Sequence, residues 1–379
     1  MKTIISRREF LKASAGFSGA CVGANLIFSA ESGFAAVKKD DIFRREARYY
    51  EKLPNRRIKC KLCPRECVID DQETGYCGVR ENHGGKYYTL VYGRAVSANV
   101  DPIEKKPLFH FLPGTTAFSI ATAGCNVLCK FCQNWEISQA RPDQIRSYKL
   151  FPKDVARYAK NAGAESIAYT YNEPVIFTEY MEDCAEAGHD KGVRSVMISN
   201  GYIQAEPMRD LCKVLDAVKV DLKAFTEDFY KKIVAGKLKP VLDTLVLLKN
   251  ENMWTEIVYL IIPTLNDQTA DLKKMCSWIY NELGPDVPLH FSRFYPVYRL
   301  KNLPPTPVKT LEKARNIALD AGLHYAYIGN VPGHEGENTY CPNCKKPVIR
   351  RIGYQILENN IDNKGKCKFC KSSISGIWH

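Results

Sequence analysis

The sequence predicts an α/β protein. A parallel sheet of roughly six to seven strand–helix units forms an open or partial TIM-like barrel, flanked by two small cysteine-rich modules. Two observations predict it. From about residue 117 short apolar runs alternate with amphipathic stretches, and eleven of the 15 cysteines fall into three tight groups with metal-ligand spacing. A doubly wound sheet fits the same alternation.

The N-terminal segment is read first, because it stands outside the fold. Ser6-Arg7-Arg8-Glu9-Phe10-Leu11-Lys12 resembles a twin-arginine export signal, and a weakly apolar Gly/Ala/Ser-rich stretch follows to Ala30. Asn25 and the glycines make that stretch a poor membrane span. Export to the periplasm is therefore expected of residues 1–36, with a cytoplasmic setting otherwise. Residues 38–58 are charged and read as an exposed helix or linker, opening a cysteine-rich lobe over 37–110. Within it Cys60, Cys63, Cys67 and Cys77 give C-x2-C-x3-C-x9-C, a set able to hold zinc or an iron–sulfur cluster. A disulfide pair formed after export is the redox alternative. Residues 101–107, punctuated by Pro102 and Pro107, read as a connecting loop.

The barrel is expected over 111–335. Its strand candidates are 117–122, 166–170, 195–199, 217–220, 254–260, 289–294 and 325–328, with helical patterns such as 152–162, 176–191 and 272–283 between them. Directly after the first strand comes Gly124-Cys125-Asn126-Val127-Leu128-Cys129-Lys130-Phe131-Cys132, a C-x3-C-x2-C triplet. Three thiolates this close can wrap one face of a four-iron cubane. With no fourth cysteine nearby, one iron stays open to a small-molecule ligand. A zinc ion completed by a distant His or Cys is the alternative reading.

The last segment, 336–379, carries Cys341, Cys344, Cys367 and Cys370 as C-x2-C-x22-C-x2-C, a zinc-ribbon pattern that a rubredoxin-like iron would share. Cys184, Cys212 and Cys276 are isolated and read as buried small residues. The formal net charge of +12 is scattered along the chain, so a solvated basic surface is expected. No recognition helix or DNA-binding finger is present in the pattern, and no nucleic-acid partner is expected.

The central triplet resembles the cluster motif of the radical S-adenosylmethionine (SAM) superfamily, and more narrowly that of activating enzymes of the pyruvate formate-lyase type. The resemblance implies a partial (β/α)6 barrel, a [4Fe–4S] cluster at Cys125, Cys129 and Cys132, and SAM on the open iron. It also implies a low-potential electron donor and a 5′-deoxyadenosyl radical that abstracts hydrogen from a substrate the motif does not identify. It assigns Phe131 to the adenine and Glu173, with neighbouring Asn172, to the SAM amino group. Ser199 and Asn200 resemble the ribose position, and Asp221 and Lys223 the carboxylate region. His290 resembles a late-strand histidine of the activases. The glycines of the family's amino-group motif are replaced here by Tyr171 and Asn172.

A wider set of motifs resembles the radical SAM enzyme of the AmmeMemoRadiSam system. These are Cys60-Lys61-Leu62-Cys63-Pro64-Arg65-Glu66-Cys67, residues 101–111, Ala123-Gly124-Cys125-Asn126 and Thr339-Tyr340-Cys341-Pro342-Asn343-Cys344. That resemblance implies AMMECR-type and Memo-type partner proteins. A glycyl-radical-enzyme activase and an exported iron–sulfur or zinc electron-transfer protein are the competing functions.

Overall fold

The computed structural model describes residues 42–379, which form one compact unit. The twin-arginine-like segment lies outside the described residues. Among those described, no helix is long and apolar enough to cross a membrane.

The core is one eight-stranded sheet. In chain order its strands are β1 (Ser97–Pro102), β2 (Thr116–Ala121), β3 (Ser166–Tyr169), β4 (Arg194–Ser199), β5 (Ala217–Asp221), β6 (Trp254–Ile261), β7 (Leu289–Arg293) and β8 (Ala326–Gly329). They pair strictly in sequence. All are parallel except β1, which runs antiparallel along β2. This order decides between the two architectures the alternation allowed. A doubly wound sheet reverses its strand order at a switch point, and there is no reversal here. The pairing runs from β8 to β1 and does not close, so the sheet is a partial barrel.

The residues explain why. β3 is buried at every position (Ser-Ile-Ala-Tyr), as a strand covered on both faces must be. The helices Pro152–Asn161 and Thr178–His189 pack on each other, as do Thr269–Leu283 and Val308–Asp320, and together the helices sheathe the outside. Inside, the amino ends of the strands carry small residues, Ala117, Ala168 and Ala217. The space they leave is filled by Leu108, Phe111 and Leu112 from the β1–β2 connection. That connection is the floor of the barrel.

Two expectations are corrected. Residues 38–58 are not a helix or linker. Described from residue 42, they contain strands Arg45–Glu46, Tyr50–Lys52 and Ile58–Cys60, which pair with Tyr88–Thr89 and with each other. Charged side chains on the exposed faces of two narrow sheets disguise them. Residues 101–107 are not a plain loop either. Asp101 and Pro102 end β1, in register with Ala117 and Thr116, and a short 3-10 turn follows at Ile103–Lys105. Pro102 is tolerated because it ends an edge strand, where its missing N–H breaks no ladder.

The C-terminal module is a three-stranded antiparallel sheet of Thr339–Tyr340, Pro347–Ile352 and Gln355–Asn359. Arg351 ties it to the barrel floor. Its buried guanidinium donates to the Phe109 carbonyl at 2.9 Å and to Thr339 Oγ1 at 2.7 Å.

Candidate active site

A cavity with about 1520 Å³ of empty space, counting its open mouth, lies at the carboxyl ends of the strands. This is the end where a parallel barrel gathers side chains from successive loops. Cys125, Cys129 and Cys132 all line it, and among the described residues no other cysteine does. Their loop is held from several sides. The Leu128 and Lys130 amides donate to the Val234 and Ile233 carbonyls at 2.9 and 3.0 Å, and the Lys130 carbonyl accepts from the Arg299 amide at 2.9 Å. Gly124 begins the loop at φ +91°. A Cβ there would meet the Cys77 carbonyl oxygen and a Val79 methyl at 2.6 Å, so only glycine fits. Burial pushes the Cys129 thiol up to about 12. A thiol so placed loses its proton only when a cation takes its place, which is the chemistry of a metal ligand.

Glu173 follows β3 and is buried. Its carboxylate accepts from Ser199 Oγ at 2.7 Å, the Asn200 amide at 2.7 Å and the Val175 amide at 3.2 Å. A carboxylate has roughly four acceptor positions, so about one remains for a ligand. Burial pushes its pKa up to about 7 against those donors, and among the described residues no basic side chain forms an ion pair with it.

Asp221, at the end of β5, is the opposite case. Burial would raise its pKa, but Lys219 and Lys223 outweigh it and hold it at about 2. Lys223 Nζ lies 2.8 Å from its carboxylate, and Lys219 bonds the other oxygen. Lys223 also stands 5.9 Å from the centre of the Phe131 ring, which lines the cavity.

The other expected residues divide. Asn172 and Asn200 line the cavity, yet their amides are largely spent on the protein. Asn172 Nδ2 donates to the Gly124 carbonyl at 3.0 Å, bracing the start of the cysteine loop. Asn200 Nδ2 donates to Asn126 Oδ1 at 2.9 Å. Ser199 is not part of the cavity wall; it positions Glu173 and accepts from the Gly201 amide at 3.0 Å. His290 is elsewhere. It lies near the amino end of β7, with its Nε2 2.7 Å from Glu256 and its ring stacked 4.9 Å from Tyr327. The strand's period carries it to the floor, so the structure does not bring it to the cysteines.

Sequence reasoning missed a second polar group in the same cavity. Asp101 binds Lys105 at 2.7 Å and Lys106 at 2.6 Å, and the Tyr171 hydroxyl bonds the same carboxylate. Burial lowers Lys106 to about 8, with Asp101 opposing. Lys219 was missed too. Its spacing of two from Asp221 put both on one face of β5 and was a usable signal.

At the C-terminus, the ligand atoms of Cys341, Cys344, Cys367 and Cys370 lie within 4.8 Å of one another, a set able to hold a metal ion. Among the described residues no disulfide is formed.

Comparison with known proteins gives the following. The sequence pattern of the Radical SAM superfamily matches residues 119–276. An uncharacterized protein of Methanocaldococcus jannaschii is 46% identical over 331 residues, covering 87% of this chain and 98% of its own. The pyruvate formate-lyase 1-activating enzyme of Escherichia coli K12 is 23% identical over 211 residues, covering 51% of this chain and 85% of its own. Among solved structures, a radical SAM methyltransferase from Sphaerobacter thermophilus aligns with a TM-score of 0.47 at 16% identity, over 60% of this chain and 71% of that one.

Proposed function

The chain belongs to the radical SAM superfamily, and on that premise we propose that it cleaves SAM reductively at a [4Fe–4S] cluster held by Cys125, Cys129 and Cys132. The observation that carries the reading is a single cavity lined by these three thiols and, among the described residues, no fourth. That donor set fits a cubane with one iron left for a ligand. Bound there, the cluster and SAM supply a 5′-deoxyadenosyl radical that takes a hydrogen atom from the substrate. The protein's own part is to bind and orient. Glu173 offers its remaining acceptor position to an ammonium group, and Lys223 and Lys219 offer cations to a carboxylate. Phe131 offers an apolar ring to the adenine. Asn172 and Ser199 act through what they hold, the cysteine loop and Glu173.

Around this centre the reading extends to a zinc ion at the C-terminal quartet and to a low-potential electron donor. It also takes in an enzyme of the AmmeMemoRadiSam type, working with AMMECR-type and Memo-type partners. The leader supports export to the periplasm. A second reading, activation of a glycyl radical enzyme, is favoured by the Escherichia coli relative, which bears that name.

The test is anaerobic reconstitution with iron and sulfide, then dithionite and SAM, assaying 5′-deoxyadenosine beside Cys129→Ala. Nucleoside from the native chain and none from the variant is the expected result. A cluster without nucleoside would move the protein to an electron-transfer role. A glycyl-radical doublet on adding a candidate partner enzyme would select the second reading.

A further inference from the structure

The cysteines of the N-terminal lobe form a second built site, and its geometry differs from that of the C-terminal quartet. A four-thiolate zinc site has Zn–S bonds of ~2.3 Å, which places its sulfurs ~4 Å apart. The C-terminal quartet matches: Cys341 and Cys370 Sγ are 3.5 Å apart, Cys344 and Cys367 Sγ 3.8 Å. Cys60, Cys63, Cys67 and Cys77 also converge, but they stand back from one another. Among the described residues no other three or more ligand atoms of this kind gather within 4.8 Å. Instead these four line a partly open cavity with about 310 Å³ of empty space, counting its open side. The same chain thus draws one quartet to zinc spacing and spaces the other more widely, as thiolates at the corners of a cubane are. Cys60 and Cys63 are buried, and the buried Tyr87 lines the same cavity.

This cavity shares a wall with the catalytic one. Asn126, the residue after Cys125, lines it. Arg65, between Cys63 and Cys67, donates to the Asn126 and Ala235 carbonyls. Gly124 rests against the Cys77 carbonyl. Backbone from the two cysteine groups is therefore in direct contact.

We propose that Cys60, Cys63, Cys67 and Cys77 hold a second [4Fe–4S] cluster, fully ligated by protein, that relays electrons to the cluster at Cys125, Cys129 and Cys132. One electron passes from a reduced iron–sulfur or flavin protein to the second cluster, oxidising that donor. The same electron then passes on to the first cluster, with no bond made and no proton moved. The relay rests on the radical SAM reading; the metal content of the quartet does not.

The test uses the full chain reconstituted with iron and sulfide. Cys125→Ala/Cys129→Ala/Cys132→Ala removes the first cluster and leaves the lobe intact. It should retain about four irons and about four sulfides per chain, and dithionite should raise an electron paramagnetic resonance signal of a reduced cluster that SAM does not alter. Negligible iron with about two zinc ions per chain would overturn the proposal and make both quartets zinc sites. Cys63→Ser then tests the relay. Nucleoside formation should fall about tenfold or more with reduced flavodoxin as donor, yet stay within about twofold with dithionite. An equal fall with both reductants overturns the relay. If Cys63→Ser does not fold, the metal count of the triple variant still decides the site.

Discussion

The two ends of the barrel each bury a glutamate, and they treat it in opposite ways. At the floor, Glu256 accepts from the Phe109 and His110 amides at 3.0 and 2.8 Å and faces His290 Nε2 at 2.7 Å. Burial alone would raise its pKa; His290 and these donors outweigh it, and the carboxyl is held below its ordinary range. At the mouth, Glu173 accepts from three donors and, among the described residues, forms no ion pair, and burial wins. At the floor, burial also lowers the pKa of His290 itself, so the imidazole serves as a hydrogen-bond partner, and the lasting charge that acts on Glu256 is the buried Arg351 guanidinium. The floor carries its own counter-charge and is closed. At the mouth the nearby Asp221 carboxylate adds to the effect of burial, so an ammonium ligand bound beside Glu173 would lower its pKa.

That contrast can be broken in order of effect. Glu256→Ala leaves two amides, an indole N–H and an imidazole without their partner, and should cost about 4 kcal/mol of stability. Nucleoside formed per folded molecule should not change, and a melt alongside the assay reads both. Gly124→Ala drives a methyl into the Cys77 carbonyl at a left-handed φ, and should cost about 3 kcal/mol; calorimetry measures it. Glu173→Ala should weaken SAM binding by about 2 kcal/mol, roughly thirtyfold. Equilibrium binding to the reconstituted protein checks this, and an unchanged affinity would reduce Glu173 to a tie for Ser199 and Asn200.

The pH dependence follows from the same carboxyl. Its pKa is about 7, and it must be ionised to accept from an ammonium. Below that value binding requires loss of a proton, so affinity should fall by up to about tenfold per pH unit. Above it affinity should level off, and Glu173→Ala should flatten the curve. The smallest effect is at His290. His290→Gln should leave nucleoside formation within about twofold, because the residue acts at the floor; a larger loss would mean that floor and mouth are coupled.

What the sequence made legible follows the strength of local pattern. The strands of the partial barrel were readable because buried parallel strands are short apolar runs between amphipathic helices, and the cysteine triplet because its spacing is itself the ligand geometry. Glu173 and Asp221 were named from the resemblance, and the structure places one in the loop after β3 and the other at the end of β5, both on the cavity wall. His290 was named from the resemblance alone, without a strand-end position to support it. A histidine on a late strand fitted the family pattern, but its position near the strand's amino end sent it to the floor. Asp101, Lys105 and Lys106 were missed because a charged, proline-bearing stretch reads as loop, and its pairing to β2 depends on a partner some fifteen residues away. The charged strands near Arg45 and Tyr50 were hidden for the same reason. Their hydrogen bonds are long-range, and their side chains face solvent.

The β1–β2 connection has one further consequence. Lys105, Lys106 and Pro107 face the cavity, while Leu108, Phe111 and Leu112 fill the barrel beneath. The depth of the chamber is therefore set by a connecting segment and not by the strands. An insertion or deletion there would make the reaction vessel shallower or deeper without altering a single strand pairing of the parallel sheet. A fold arranged this way can change the size of molecule it admits while its cysteine-bearing wall stays as it is.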